Sequence, residues 1–262
     1  MPMIKLPGVD YHYELHGSGQ PLVLIAGYGC ELVFWTPILA ELAKSYQLLI
    51  FDNRAIGQTR DDGVTELTAD LLASDVMQLC DTLNLSKPHV LGHSMGGTIA
   101  QTIAAKYPDK IKKLILVSTS AKWRVPMRFA FKSLLTMRQQ GIDFDYIFNA
   151  SIPLLFGETF LEDANRVAIF KQDILSNPAP QSVSDQARQF RMLEKFDGVK
   201  QLADIQAETL VLHGREDILS LPYESIYLSQ HIKNASVAEL PGGHVVTQEA
   251  PLPLSNAVKK FL

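Results

Sequence analysis

Five short apolar runs constrain this chain more than any other feature. They are "PLVLIAG" (21–27), "QLLIFDNR" (47–54), "PHVLGH" (88–93), "IKKLILVST" (111–119) and "ETLVLHG" (208–214). Their apolar residues run on instead of alternating, which is the pattern of a strand covered on both faces. Helical spacing fills the gaps between the first four. "VFWTPILAELAKSY" (33–46) puts Trp35, Leu39 and Leu42 on one side. "ELTADLLASDVMQLCDTLNL" (66–85) repeats apolar residues every three or four positions through Leu67, Leu71, Leu72, Val76, Leu79 and Leu83, and "MGGTIAQTIAAKYP" follows from Met95. Alternating short strands and helices predict a mostly parallel sheet with helices on both faces.

An alternating strand, "VDYHYELHG" (9–17), precedes these elements and turns at Gly17–Gly19. The rhythm stops after Ser120. Residues 121–203 read as helices without a buried strand, and strand and helix resume through "YESIYLSQHI", "ASVAELPG" and a last helix to Leu262. The expectation is one α/β core, 1–120 with 204–262, carrying a helical insertion at 121–203. With 47% apolar and 20% charged residues, the chain has the material for a sizeable core. Its net charge of −4 leaves no basic footprint for nucleic acid. The N-terminal residues lack a signal peptide's apolar stretch, and no run reaches the roughly 18 residues of a membrane span. A cytoplasmic protein without membrane contact is expected. Cys30 and Cys80, with no metal or disulfide spacing, are expected to be buried, reduced thiols.

One corner carries chemistry. "GHSMG" (92–96) matches G-x-S-x-G and lies between a buried strand and a helix, the context in which that motif has meaning. The turn is tight enough that Gly92 and Gly96 must leave room for backbone, and it projects the Ser94 hydroxyl from the sheet edge beside a helix N-terminus. A serine needs a base, and the base needs an orienting acid. "VLHGRED" places Asp217 beyond the next buried strand, with Glu216 as the neighbouring alternative. "LPGGHVVTQEAP" places His244 after the final strand. His12, His16, His89, His93, His213 and His231 read as satisfying local hydrogen bonds. The N–H groups of Met95 and of Tyr28, in "LIAGYGCE", are the expected oxyanion donors.

The order Ser94, Asp217, His244, with its motif context, resembles the α/β-hydrolase superfamily over nearly the whole chain outside the insertion. "FDNRAIGQT" is similar to the superfamily's D-x-R-G-x-G-x-S loop, with Ala55 and Thr59 as departures and Asp52 and Arg54 as braces. Ala26 stands where many relatives have histidine. The compact size and helical cap resemble the group holding 3-oxoadipate enol-lactonases, small carboxylesterases, cofactor-free haloperoxidase-like enzymes and a pimeloyl-carrier methyl esterase. The resemblance implies cleavage of a small-molecule ester or lactone through an acyl-enzyme on Ser94, with no metal or organic cofactor. Haloperoxidase-like or carrier-linked esterase activity, or noncatalytic ligand binding, stand as alternatives.

In the insertion, Arg124, Arg128 and Lys132 form one helical stripe. It reads as a solvated face whose stems cover apolar neighbours such as Phe129, rather than as a patch for a carrier protein or anionic substrate. Trp123, Phe148 and Leu155 are candidates to line an acyl pocket, with Leu154 and Phe156 beside them.

Overall fold

A computed structural model describes residues 2–262. In chain order its elements are β1 (Met3–Leu6), β2 (Val9–His16), β3 (Gln20–Ile25), α1 (Thr36–Leu42), β4 (Tyr46–Phe51), β5 (Arg60–Asp61), α2 (Ala69–Thr82), β6 (His89–His93), α3 (Met95–Lys106) and β7 (Lys113–Val117). Five helices follow, α4 (Val125–Gln139), α5 (Phe144–Leu155), α6 (Glu158–Glu162), α7 (Ala164–Leu175) and α8 (Val183–Lys195). The chain ends with β8 (Glu208–Gly214), α9 (Pro222–His231), β9 (Ala235–Leu240), α10 (Val246–Glu249) and α11 (Pro251–Phe261).

The sheet runs β1-β2-β4-β3-β6-β7-β8-β9, with β5 paired to β2. From β4 to β9 every pairing is parallel, and β2 joins β4 antiparallel. The period of two sorts the apolar runs between two cores. Val23, Ile25, Leu49, Phe51, Val90, Leu114, Leu116 and Val211 face one layer, built with α2 and α3. Leu22, Leu24, Leu48, Ile50, Leu91, Ile115, Val117 and Leu212 face the other, built with α1, α10 and α11. Continuous apolar strands are therefore what a sheet sandwiched by helices requires.

Helices α4 to α8 leave and rejoin this core through a narrow neck. Lys122 and Asp197 form an antiparallel bridge, and the Gly198 N–H donates to Ala121 O at 2.8 Å. Phe148, Ile152, Phe156 and Phe160 make a third apolar cluster that reaches Val245 in the loop after β9.

Several sequence expectations are corrected. β1 and β5 carry too few residues to show a period. The helix expected from 66 begins at Ala69, because the Thr68 hydroxyl accepts the Leu71 N–H at 3.0 Å and caps it there. The helix expected over 33–46 is a 3₁₀ turn, Leu32–Trp35, followed by the short α1. The last helix is broken at Ala250. Cys80 is buried as expected, whereas Cys30 is only half-buried. On α4 the basic stripe is flanked by Phe129 at 70% exposure, so that ring lies open to solvent instead of under the stems. No helix among the described residues is long and apolar enough to cross a membrane.

Candidate active site

The site is assembled at the carboxyl edge of the parallel strands. Ser94 follows β6 with φ 53° and ψ −116°, outside the conformations that L-residues favour. A Cβ on Gly92 would lie 2.2 Å from Gly96 O, and one on Gly96 would lie 2.0 Å from Ile25 O, so both positions exclude any side chain. The Ser94 N–H donates to Val117 O at 2.9 Å and the Thr119 hydroxyl donates to Ser94 O at 2.8 Å, tying the corner to the end of β7.

Three side chains from three strand ends meet there. Ser94 Oγ lies 2.9 Å from His244 Nε2, and His244 Nδ1 lies 2.9 Å from Asp217 Oδ2. A carboxylate only accepts, so Nδ1 carries the imidazole proton and Nε2 is left to accept from the hydroxyl. Asp217 is held in turn by the N–H groups of Leu219 and Ser220, which donate to Oδ1 at 2.9 and 2.8 Å. Asp217 and His244 are buried and Ser94 is half-buried, leaving the hydroxyl as the group that a ligand can reach. Glu216 is not part of this set. It is exposed and accepts the Glu158 N–H at 2.7 Å.

The backbone of His244 is clamped from several sides. Leu155 O accepts the N–H groups of His244 and Val245, each at 3.0 Å. His93 Nε2 donates to His244 O at 2.9 Å. The Glu249 carboxylate receives the N–H of Gly243 at 2.8 Å and that of Gly157 at 2.9 Å, and its burial raises its pKa. His93 is wholly buried, and burial together with the nearby His244 pushes its pKa down to about 3, so the ring is neutral. On α9, burial drives the Glu224 carboxyl up to about 7, opposed by the Leu221 N–H that it accepts and by Arg124.

Tyr28 lies in the loop after β3, and Met95 is the first residue of α3. Neither N–H donates to a protein acceptor among the described residues, and helix N-termini leave such donors free. The braces read from the sequence are in place. The Asp52 carboxylate accepts the Leu32 N–H at 2.7 Å and the Gln58 N–H at 2.9 Å, and sits 2.7 Å from His12 Nδ1. Arg54 pairs with Asp75, Nε to Oδ2 at 2.6 Å.

The three pocket candidates are not brought together as one group. Trp123 packs edge-on between Phe131 and Phe190 in the main core. Phe148 and Leu155 belong to the separate cluster that includes Val245, next to His244. His93, Glu249 and the Leu155 carbonyl escaped sequence reasoning as supports of the histidine. His93 lies inside the motif, but its acceptor is 151 residues away in the chain, and no local pattern marks the partners of the other two. No group of three or more His, Cys, Asp or Glu residues among the described residues is placed to hold a metal.

Comparison with known proteins identifies the fold family. The profile of the family described as "alpha/beta hydrolase fold" matches residues 20–251. A protein of Azorhizobium caulinodans named "putative carbamate hydrolase RutD" is 28% identical, over 96% of this chain and 94% of its own length. A thermophilic esterase from Thermogutta terrifontis superimposes with a TM-score of 0.84 at 27% identity, over 98% of this chain and 95% of that one. An enol-lactonase from Burkholderia xenovorans LB400 superimposes at 0.86 with 24% identity, over 99% of each chain, a likeness of fold alone.

Proposed function

The chain belongs to the alpha/beta hydrolase fold family, and we propose that it is a serine hydrolase that cleaves a small-molecule carboxylic ester or lactone through an acyl-enzyme on Ser94. The observation that carries this reading is the unbroken line from Asp217 through His244 to Ser94, 2.9 Å at each step.

In this reading His244 Nε2 takes the hydroxyl proton as Oγ attacks the substrate carbonyl. The negative charge that forms on the carbonyl oxygen falls to the Met95 and Tyr28 N–H groups, preorganised donors worth about 10²–10³ in rate each. Asp217 keeps the imidazole in the tautomer required and stabilises it once protonated. His244 then gives its proton to the departing alkoxide, and the acyl group remains on Ser94. A water, deprotonated by the same imidazole, attacks the acyl carbonyl and releases the carboxylic acid, returning the proton to Oγ. In a lactone the resulting hydroxyl stays tethered to the acyl group, and the second step releases a hydroxy acid.

Helices α4 to α8 serve as the cap in this reading, with Phe148 and Leu155, but not the core residue Trp123, on the side of the acyl group. Support comes from the Leu155 carbonyl bonded to the His244 loop and from Phe148 sharing a cluster with Val245. The name of the Thermogutta relative favours esters. A carbamate presents the same carbonyl to the same groups, and the name of the Azorhizobium relative makes carbamates the second class to try.

The test is a panel of p-nitrophenyl esters, lactones and carbamates of graded acyl length, with Ser94→Ala as the blank. Turnover that disappears in the variant, together with one-to-one labelling of Ser94 by a fluorophosphonate, is the expected result. Saturable binding of panel members without turnover, unchanged in Ser94→Ala, would make the protein a binding module and overturn the reading.

A further inference from the structure

The loop that offers the Tyr28 N–H is weakly held by its own bonds. Its one internal backbone bond runs from the Cys30 N–H to Gly27 O, at a long 3.3 Å. That bond closes a turn with Gly29 at φ +68° in the third position, where a type II turn needs glycine. Asn53 Nδ2 steadies the start of the loop by donating to Ala26 O at 3.1 Å. The Tyr28 ring rests edge-on against Phe131 of α4, 5.8 Å between centroids, which anchors the side chain but does not fix the peptide plane.

What fixes the peptide comes from α8. Gln189 is fully buried, and its Oε1 accepts the Gly29 N–H at 3.1 Å. The same oxygen accepts from Gln181 Nε2 at 3.1 Å, and Gln181 Nε2 also donates to Ala55 O at 2.7 Å. Gln189 Nε2 donates to Arg54 O at 2.9 Å. Arg54 is itself locked to Asp75 through two bonds, Nε to Oδ2 at 2.6 Å and Nη2 to Oδ1 at 3.1 Å. One amide therefore spans a rigid loop and a loose one, and its loose end is a single peptide away from the donor that the chemistry needs.

We propose that Gln189 is a positioning residue for the oxyanion hole, its side-chain amide transmitting the rigidity of the Arg54 loop to the turn that aims the Tyr28 N–H. This rests on the reading of Ser94 as nucleophile and Tyr28 as donor. Gln189 touches no reacting atom. Its effect lies in the alignment of a donor whose worth falls steeply with misdirection, so its loss slows the step in which the oxyanion forms and leaves ground-state binding alone.

The experiment compares wild type, Gln189→Met and Gln189→Glu on a p-nitrophenyl ester that the wild type turns over. Methionine matches the length and removes all three bonds of the amide, those with Gly29, Gln181 and Arg54. We expect Gln189→Met to lower kcat by about 10- to 50-fold, a fraction of the full loss of a donor, with KM within threefold. Its affinity for a trifluoromethyl ketone, whose hemiketal oxyanion needs the same donors, falls by a similar factor. Gln189→Glu matches the amide only when protonated, since the acid form alone both donates to Arg54 O and accepts from Gly29. Its kcat relative to wild type therefore rises as pH falls, and taking the ratio cancels any pH effect common to both proteins.

A folded Gln189→Met with kcat within twofold of wild type and unchanged ketone affinity overturns the proposal, as does a loss confined to KM. Should the methionine variant not fold, the glutamate ratio decides, and a flat ratio from pH 5 to 9 overturns it. These failures leave wild-type turnover and Ser94 labelling intact. A wild type that neither turns over any ester nor labels instead sinks the hydrolase reading, and this proposal with it.

Discussion

At the residue scale, legibility depended on whether a side chain's partner lies nearby in the sequence. Ser94 was readable because its corner is local, with two glycines at −2 and +2 that the backbone of Gly96 and Ile25 makes obligatory. Asp217 over Glu216 and His244 over six other histidines followed from strand ends. The support of His244 by His93 was not readable, because its acceptor lies 151 residues away. His93 also carries a pH dependence. Its folded pKa, near 3, lies below the ordinary value of about 6.5 that the unfolded chain retains. Between those values the unfolded state binds a proton that the folded state refuses. Stability is thus complete above about pH 6.5 and falls as the pH drops, by about 2 kcal/mol at pH 5 from this group. His89, lowered by burial to about 4, adds to the same slope. The side-chain amide introduced by His93→Gln keeps an N–H for the His244 carbonyl and does not titrate. Urea unfolding at pH 7 and pH 5 should show a loss about 2 kcal/mol smaller in the variant than in wild type. Equal losses would mean that His93 takes up a proton in the folded protein.

At the element scale, the continuous apolar runs placed the buried strands, whereas the helical spacing over 33–46 covered a 3₁₀ turn, Leu32–Trp35, and only a short α1. β8 was expected over 208–214 and occupies Glu208–Gly214. Elements went astray where the deciding signal was a single residue. Ala250, at φ −135° and ψ 51°, breaks the last helix because the residue before Pro251 is driven from the helical region. β1 was hidden by its length, although the turn Pro7–Gly8 that returns it to β2, with Gly8 at φ +76°, is a strong turn signal. The strand-to-helix corner at β6–α3 tolerates little. A Cβ at position 92 meets Gly96 O at 2.2 Å and Ala100 Cβ at 2.8 Å, and neither has a rotamer to give. Gly63, at φ +70°, has nothing within 4 Å of the added carbon, so an alanine there bears only backbone strain. Gly63→Ala should cost about 1 kcal/mol and Gly92→Ala more than about 3 kcal/mol in urea unfolding. Similar costs for the two would show that the corner opens without penalty and that the tightness ascribed to it is illusory.

At the scale of the molecule, the break after Ser120 and the resumption near 204 were plain in the sequence, but the seat of the helices between them was not. Their docking is written in pairs of residues far apart in the chain, and helix α8 supplies two of them side by side. Gln189 reaches Gly29, and Arg188 reaches Asp61 of β5, with Nη2 to Oδ2 at 2.7 Å and Nη1 to Oδ1 at 3.0 Å. Both side chains of that ion pair are buried, and the guanidinium also donates to Asp185 Oδ1 and Thr65 O, each at 3.0 Å. Removing Asp61 strands a cation in a site that water does not reach, whereas removing both charges together leaves an apolar seam. Asp61→Ala should therefore destabilise by about 3 kcal/mol, at the low end for a broken buried pair because Asp185 and Thr65 remain. Asp61→Leu with Arg188→Met should cost clearly less than the sum of the two single changes, since each single change leaves a charge that the double change does not. The cycle is measured by urea unfolding of the four proteins, with the helical content of each confirmed at zero denaturant. Strict additivity would mean that the two side chains do not meet in solution, and α8 would then need another anchor to hold Gln189 against the loop that bears Tyr28.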